Sequence, residues 1–364
     1  MCLSPGPAMR ALTLFLYNPD MPKRTRRKPV RKARTSTFSK SIAFMVLSVA
    51  AMLVVLFLLW QRASYPLPDF IQSPIPPTPT VNLAYSGVED CRALPKFFDD
   101  MGLAPNPLVG TSFRSYVGFV VYDRNGSKQF IQHPSWKEAG NLGGFINDSQ
   151  GNFYVIPVPF VSVELNPPEK QTILYRIDTL TGEMAPVLTL LAAAPPTTAN
   201  PFGLMGLGLD CETNSLYITS VAGSSATREL GRIFRIDLAS MQVEDQLEDV
   251  DAIGVGIFKG VTGKRLYYGS AREPLVFSIS LDEKGDFVGE PREEFTLTTI
   301  PGVGNQRVRR INFLAPQEMS VRSVEFTFNL QASRDVPSDL ITLDYDPAND
   351  DWVVREVIPY KPEP

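Results

Sequence analysis

The chain has 364 residues, with 35 Lys and Arg, 39 Asp and Glu, and a formal net charge of −4. Charge is unevenly placed: residues 1–60 carry 10 bases and one acid, whereas residues 61–364 carry 25 bases and 38 acids, a formal net charge of −13. An acidic body argues against nucleic acid as the main partner, because phosphate binding requires a positive surface. The length is enough for two average domains or one large all-β domain.

The N-terminal region predicts a membrane anchor. Residues 42–60 are uncharged and apolar, and a helix of this length spans roughly 28 Å, close to the ~30 Å hydrocarbon core. Nine Lys and Arg and no acid precede it in residues 22–40. The positive-inside rule therefore predicts a basic cytoplasmic tail (1–41), a transmembrane signal anchor in the lipid bilayer (42–60), and a body outside, in the periplasm or at the cell exterior.

Two alternatives bear on this region. A cleaved signal peptide has a shorter apolar core and an A-x-A-like site, which the following QRAS matches poorly. The basic tail serves as a topology signal with attraction for anionic lipid, and cytoplasmic nucleic-acid binding is the less favoured interpretation.

The next segment, residues 61–82, is rich in proline and predicts an extended, semi-rigid linker before a body at 83–364. VEDCRALPKFFDDMGL then predicts a short helix. Cys91 and Cys211 both lie on the outer side, where disulfides persist, so a bridge that pins this helix to the body is one prediction. Two free buried thiols are the alternative.

A weak internal repeat runs through residues 143–360. Four units begin at Gly143, Gly203, Gly254 and Arg310, and each has an apolar strand, a polar turn, a second strand and then another hairpin. Residues 116–133 resemble a further second hairpin. Four strands per unit at intervals of about 50–60 residues predict an all-β fold, a β-propeller. Five four-stranded blades are the simple count. Six follow if residues 81–115 add strands, and the N-terminal hairpin is expected to complete a blade with C-terminal strands.

Glycines inside the predicted strands fit this fold. Gly206 and Gly208 lie in the strand of NPFGLMGLGLDCETNSLYIT, and Gly254 and Gly256 recur in the next unit. Glycine weakens a strand unless another backbone approaches it closely. The first strand of each propeller blade lines the axis, where blades crowd together.

NPFGLMGLGLDCETNSLYIT and GGFINDSQGNFYV resemble the blade starts of NHL-type and SMP-30/gluconolactonase-like propellers, over roughly residues 106–360. The resemblance implies the fold. SMP-30-like lactonases hold a divalent ion in the tunnel with Glu, Asn and Asp, and the ion polarises an ester carbonyl. A glutamate in an E-G-P-like context is expected there, and Glu138 in WKEAGNL departs from that motif.

Three blade starts place a short polar side chain three residues before a glycine: Asn141, Asn200 and Asp251. In a propeller these residues gather at one mouth of the tunnel, where their oxygens would suit Ca²⁺ or another divalent metal. The alternative is that they are ordinary turn formers. The fourth unit has Arg309 and Arg310 instead.

Other candidate groups are weaker. Arg307, Arg309 and Arg310 form a basic cluster that predicts either binding of an anion such as a sugar acid or phosphate, or pairing with nearby acids. His133 is the only histidine, and no G-x-S-x-G motif accompanies it. Asp148 and Asp210 are expected to be structural turn residues.

These observations lead to one main hypothesis for function. A membrane-anchored extracytoplasmic propeller acts as a ligand-binding, protein-binding or scaffold module, with a protein or glycan partner. The alternative is a divalent-metal-dependent hydrolase or lactonase that uses the tunnel. A purely structural envelope protein is a third reading.

Overall fold

The computed structural model describes residues 85–111, 116–160, 162–330 and 338–359. The predicted tail (1–41), transmembrane helix (42–60) and linker (61–82) lie outside these residues and stay predictions. Within the described ranges, no helix is long and apolar enough to cross a membrane.

The described residues form five antiparallel sheets, each built from strands that follow one another in the chain. The first sheet has three strands, β2 (Leu108–Gly110), β3 (Val120–Tyr122) and β4 (Phe130–Ile131). The second has β5 (Leu142–Asn147), β6 (Phe153–Pro157), β7 (Ile173–Ile177) and β8 (Met184–Thr189). The third has β9 (Leu204–Asp210), β10 (Ser215–Ser220), β11 (Arg232–Asp237) and β12 (Gln242–Glu248).

The last two sheets complete the order. The fourth has β13 (Ala252–Gly260), β14 (Gly263–Ser270), β15 (Leu275–Leu281) and β16 (Phe287–Thr296), and the short β1 (Ser86–Gly87) adds to β13. The fifth has β17 (Arg307–Ala315), β18 (Glu318–Val324), β19 (Ser338–Asp346) and β20 (Asp351–Pro359). A four-residue helix, Phe97–Asp100, and three short 3₁₀ helices, Pro134–Lys137, Pro168–Lys170 and Leu297–Thr299, lie between strands.

This order confirms an all-β, five-bladed propeller, with each sheet as a blade. The first strands of successive blades contact one another: β5, β9, β13 and β17. Outer strands such as β12 have mostly exposed side chains. The six-blade alternative and the closure of a blade by the N-terminal hairpin were wrong. The described part of 81–115 adds only β1 and β2 and makes no sixth blade. The N-terminal hairpin shares no sheet with the C-terminal strands, because β17–β20 pair only with each other in the described residues.

The inner-strand glycines occupy the crowded positions expected of them. A Cβ on Gly254 would lie 2.8 Å from the backbone of both Val308 and Arg309 on the next inner strand. A Cβ on Gly208 would lie 2.9 Å from the Ile257 side chain. Blades three to five therefore approach one another through glycine.

An aspartate opens the turn of the outer hairpin in every blade: Asp123, Asp178, Asp237, Asp282 and Asp346. Its carboxylate accepts N–H groups from residues two to four positions further on, as from Leu180 and Thr181 at Asp178. Hydrogen bonds within the turn lower the pKa of each of the five carboxyls; the largest cause is a backbone N–H at Asp123, Asp178 and Asp282, and a side chain, Ser240 or Asn349, at Asp237 and Asp346. An aspartate at this turn is thus common to all five blades.

Residues 85–101, here called the strap, cross the ends of the inner strands. Hydrogen bonds join Tyr85 O to Gln317 N, Val88 O to Cys211 N, and Ala93 N to Asp148 O. The strap thus touches the inner hairpins of blades five, three and two in turn, and Phe97 and Phe98 then pack into the core between blades one and two. The predicted helix is only the single turn Phe97–Asp100, because backbone groups elsewhere in the strap form hydrogen bonds with the blades.

A disulfide fixes the strap in the structure. Cys91 is bonded to Cys211 at the end of β9, with a Cα–Cα distance of 5.8 Å that lies within the usual range. The bond attaches the middle of the strap to blade three. The predicted disulfide therefore joins an extended segment, rather than a helix, to the body.

Candidate functional site

The propeller has two unlike faces. The turns between the first and second strands and between the third and fourth strands of each blade lie at one end of the sheets, together with the strap. This end is here called the strap face. The connections between the second and third strands of each blade lie at the other end, here called the loop face, and they include residues 158–160, 162–172, 221–231 and 325–330. Longer connections held on a rigid scaffold are the usual location of binding residues, so the loop face is where a partner is expected.

A cleft of about 510 Å³ opens on the loop face between blades three, four and five. Its wall combines aromatic, aliphatic, amide, hydroxyl and guanidinium groups. They belong to residues 197, 199–200, 223–226, 271–272, 307 and 326–329. Phe326 packs against Phe202 with 5.6 Å between ring centroids, and the guanidinium of Arg272 lies 5.4 Å from the centre of the Phe328 ring. The cleft thus combines aromatic rings with a guanidinium that lies over one of them.

Asn200 forms part of the cleft wall, and its amide is fully used. Its Nδ2 donates to the carbonyls of Val221 (2.9 Å) and Ser224 (2.8 Å), and its Oδ1 accepts the N–H of Phe202. The side chain holds the start of β9 against the connection after β10.

Asp251 lies behind Ser224 and is buried. Its carboxylate accepts hydrogen bonds from Ser224 Oγ (2.5 Å), Gly231 N (2.9 Å) and Arg272 Nε (2.7 Å). Burial raises its pKa, while Ser224 and then Arg272 oppose that rise. Asp251 orients Arg272, and so the structure brings Asn200 and Asp251 together through Ser224.

Asn141 lies apart from these two residues, in blade two. Its backbone N–H donates to Asn166 Oδ1 and its carbonyl accepts from Asn166 Nδ2, so Asn166 braces the start of β5. No group of three or more His, Cys, Asp and Glu placed to hold a metal occurs among the described residues. The predicted divalent-metal site stays a prediction.

The three predicted arginines divide between two places. Arg307 lies in the cleft wall, where Nη2 donates to the Arg272 carbonyl (2.6 Å) and Nε to that of Ala271 (3.3 Å). Burial lowers its pKa. Arg309 and Arg310 instead line the central channel of the propeller, in a second cavity of about 240 Å³.

The remaining candidate groups are structural. His133 caps the 3₁₀ turn Pro134–Lys137, with Nδ1 2.7 Å from Ser135 Oγ, and Ser135 Oγ also accepts the N–H of Met184. Asp148 and Asp210 accept backbone N–H groups of their own turns, as expected. Asp210 also pairs with Lys264 at 2.6 Å, which links blades three and four.

Sequence reasoning missed Phe326, Phe328 and Arg272. VRSVEFTFNL alternates apolar and polar residues as far as Phe328, but β18 ends at Val324. The two rings leave the sheet and pack over Phe202 and Met205 at the start of β9. No local signal in the sequence separates these two rings from the strand.

No protein-family model and no curated protein matches the chain. Among solved structures, it is similar to hydrazine synthase of Kuenenia stuttgartiensis (11% identity, TM-score 0.34), with 58% of this chain and 46% of that chain covered. It is also similar to a functionally unknown protein of Desulfotomaculum acetoxidans DSM 771 (11%, TM-score 0.37; 69% and 79% covered).

A 6-phosphogluconolactonase-like protein of Bacteroides uniformis ATCC 8492 is similar at 9% identity and TM-score 0.34, with 70% of this chain and 82% of that chain covered. The chain spans less than half the length of the hydrazine synthase chain. Likeness at this level assigns no activity, and the propeller assignment rests on the sheet order given above.

Proposed function

We propose that this protein is a binding module: a five-bladed propeller of the NHL or SMP-30-like kind, held outside the membrane by residues 42–60. The observation that carries the proposal is the loop-face cleft, which connections from three blades build together. Pockets of about 300–1,000 Å³ with a few convergent polar groups are typical binding sites, and this cleft has about 510 Å³.

The cleft chemistry favours a protein partner over a glycan. Ala199, Ala226 and Ala271 extend the apolar surface of Phe326 and Phe328, which suits an apolar side chain of a bound segment. Arg307 and Arg272 stand beside that surface and add positive charge to it, while their guanidinium nitrogens donate to neighbouring groups of the protein itself. Aromatic and Arg groups together are typical centres of protein interfaces.

Site-specific crosslinking in the source membranes tests this proposal. A photoactivatable residue replaces Ala226, which is exposed in the cleft, in the full chain; a control chain has it at Leu180, which is 61% exposed on the strap face. We expect a discrete protein adduct from position 226 only, and Phe328→Ala should remove it because the apolar wall is lost. Phe160→Ala, at an exposed ring outside the cleft, should leave it unchanged.

The other outcomes have distinct meanings. Binding to a glycan panel without a protein adduct assigns the cleft to sugars. Adducts of equal strength from positions 226 and 180, or none with any glycan or protein, contradict a cleft-based binding function.

Metal content separates the binding module from the lactonase alternative. That alternative requires a bound divalent ion in the purified full chain, lost on Asn200→Ala with Asp251→Ala, together with ester or lactone hydrolysis. Because both side chains hold the loop face together, the variant's thermal stability has to be measured beside its metal content. Metal loss without unfolding would favour the lactonase.

A further inference from the structure

The central channel holds a second, smaller cavity that shares no lining residue with the cleft. It is bounded by the inner strands β5, β9, β13 and β17, and by Arg92 of the strap. Among the described residues that line it, three are Arg and none is Asp or Glu: Arg92, Arg309 and Arg310 beside Gly144, Phe145, Met205, Gly206, Leu207, Val255, Ile311 and Asn312.

A β-bulge turns Arg309 into this channel. In the pairing of β17 with β18, Val308 faces Ser323 and Arg310 faces Arg322, so Arg309 has no cross-strand partner. A bulge re-aims a side chain in this way and is frequent beside functional sites. Arg309 and Arg310 both line the cavity, and the bulge lies at Arg309.

The other inner strands leave room for the guanidinium. Pairing is also irregular near the starts of β5, β9 and β13, but the nearby residues there are uncharged: Gly143, Gly144, Met205, Gly206 and Ile253. Arg309 reaches across the channel to Met205, whose sulfur lies 3.6 Å from Nη1. A Cβ added to Gly143 would lie 3.7 Å from Nη2.

Arg309 is thus a partly buried cation with which no carboxylate of the described residues pairs. Within the described residues its only hydrogen-bond acceptor is the Met205 thioether, a weak one. Burial, with repulsion from Arg310 and Arg322, lowers its pKa to about 10, so the group remains charged at neutral pH. Burying a charge is unfavourable unless it is paired, and an anion in the cavity would supply the pair.

We propose that the channel binds a compact oxyanion, a carboxylate or a phosphate, through the guanidinium of Arg309. Arg presents parallel N–H donors that match two oxygens of such a group. The cavity of about 240 Å³ is smaller than pockets that take drug-sized ligands, so a small anion fits it.

Anion titration of the full chain tests the site. Inorganic phosphate and acetate are titrated separately at constant ionic strength, with sodium chloride as the reference salt, and followed by calorimetry and thermal unfolding. We expect saturable binding of one anion per chain and a saturable rise in Tm with at least one of the two. The anion that binds identifies the ligand class as a phosphate or a carboxylate.

Variants locate the anion. Arg309→Gln should weaken binding by about tenfold or more, because a charge-assisted pair is lost. Arg355→Gln, at an exposed Arg of β20, should bind as the natural chain does. Without anion, Arg309→Gln should unfold at a Tm equal to or above that of the natural chain, since an unpaired charge is removed. Arg309→Lys keeps the positive charge but lacks the parallel N–H donors, so it should bind the anion more weakly than the natural chain. This variant provides the test if Arg309→Gln does not fold.

Two results would overturn the proposal: an unsaturable response to both anions, or equal affinity in Arg309→Gln or a folded Arg309→Lys. Phe328→Ala should bind the anion unchanged. Anion binding in the channel and partner binding in the cleft are therefore tested independently of each other.

Discussion

At the scale of single residues, the inner-strand glycines decide how closely blades approach. A side chain on Gly254 meets the backbone of the next blade, which cannot move aside as a flexible side chain would. Gly144 also lies on an inner strand, but its added Cβ would meet nothing nearer than 3.7 Å. The two positions form a matched pair.

Gly254→Ala should destabilise the fold by about 1–3 kcal/mol, the usual range for overpacking. Gly144→Ala should change the free energy of unfolding by roughly 0.5 kcal/mol or less, as ordinary substitutions away from such contacts do. Denaturant unfolding of both variants measures this. Equal effects at the two positions would contradict the close approach of β13 and β17.

The sequence was informative about these glycines but not about the roles of the polar residues beside them. Asn200 and Asp251 were predicted to converge at the tunnel mouth, and the structure joins them through Ser224. Ser224 and Arg272, their partners, lie over 20 residues away from one or the other in the chain. Nothing local in the sequence marks such pairings.

At the scale of the element, an aspartate recurs at the turn of the outer hairpin in every blade. Each ionised carboxylate is stabilised by turn hydrogen bonds, so its pKa in the folded state lies below the unfolded value of about 3.9. A lowered pKa means that the stabilisation is present above the unfolded pKa and is lost as pH falls through the folded one. These five turns therefore contribute to acid unfolding below about pH 4.

The variant Asp178→Asn with Asp237→Asn tests this contribution. Its Tm should lie below that of the natural chain at pH 6, and the difference should shrink towards pH 3, where the natural carboxylates become protonated. Thermal unfolding followed by circular dichroism over this range provides the measurement. Asp90→Asn, at an exposed carboxylate of the strap, is the control, and a pH-independent difference would contradict the assignment.

Hairpins were predictable because apolar alternation and turn residues are local signals. The common position of the five aspartates is visible in the sequence, but turn composition alone does not indicate that each carboxylate accepts the N–H groups of its own turn. The end of β18 was not predictable, because Phe326 and Phe328 continue the strand alternation while packing against another blade.

At the scale of the whole molecule, the strap and its disulfide connect distant parts of the chain. The bond between Cys91 and Cys211 closes a loop with a sequence separation of 120 residues. A bridge that closes a loop restricts the unfolded chain, and removing it typically costs about 2–4 kcal/mol.

Cys91→Ser with Cys211→Ser should therefore lower the free energy of unfolding by about that amount. Reductant should lower the Tm of the natural chain and leave that of the double variant unchanged. Peptide mapping without reduction should recover Cys91 and Cys211 in one joined peptide. Two separate thiol peptides from freshly prepared protein would contradict the disulfide.

The strap also determines how the protein responds to force. A pull on the N-terminal side of Tyr85 first strains the contacts of residues 85–88 with blades five, four and three, because these come first along the chain. It then meets a covalent bond at Cys91, which transfers the load to the end of β9 in blade three. Tension thus enters the ring at an inner strand, leaving the contacts of residues 93–101 with blades one and two shielded from it.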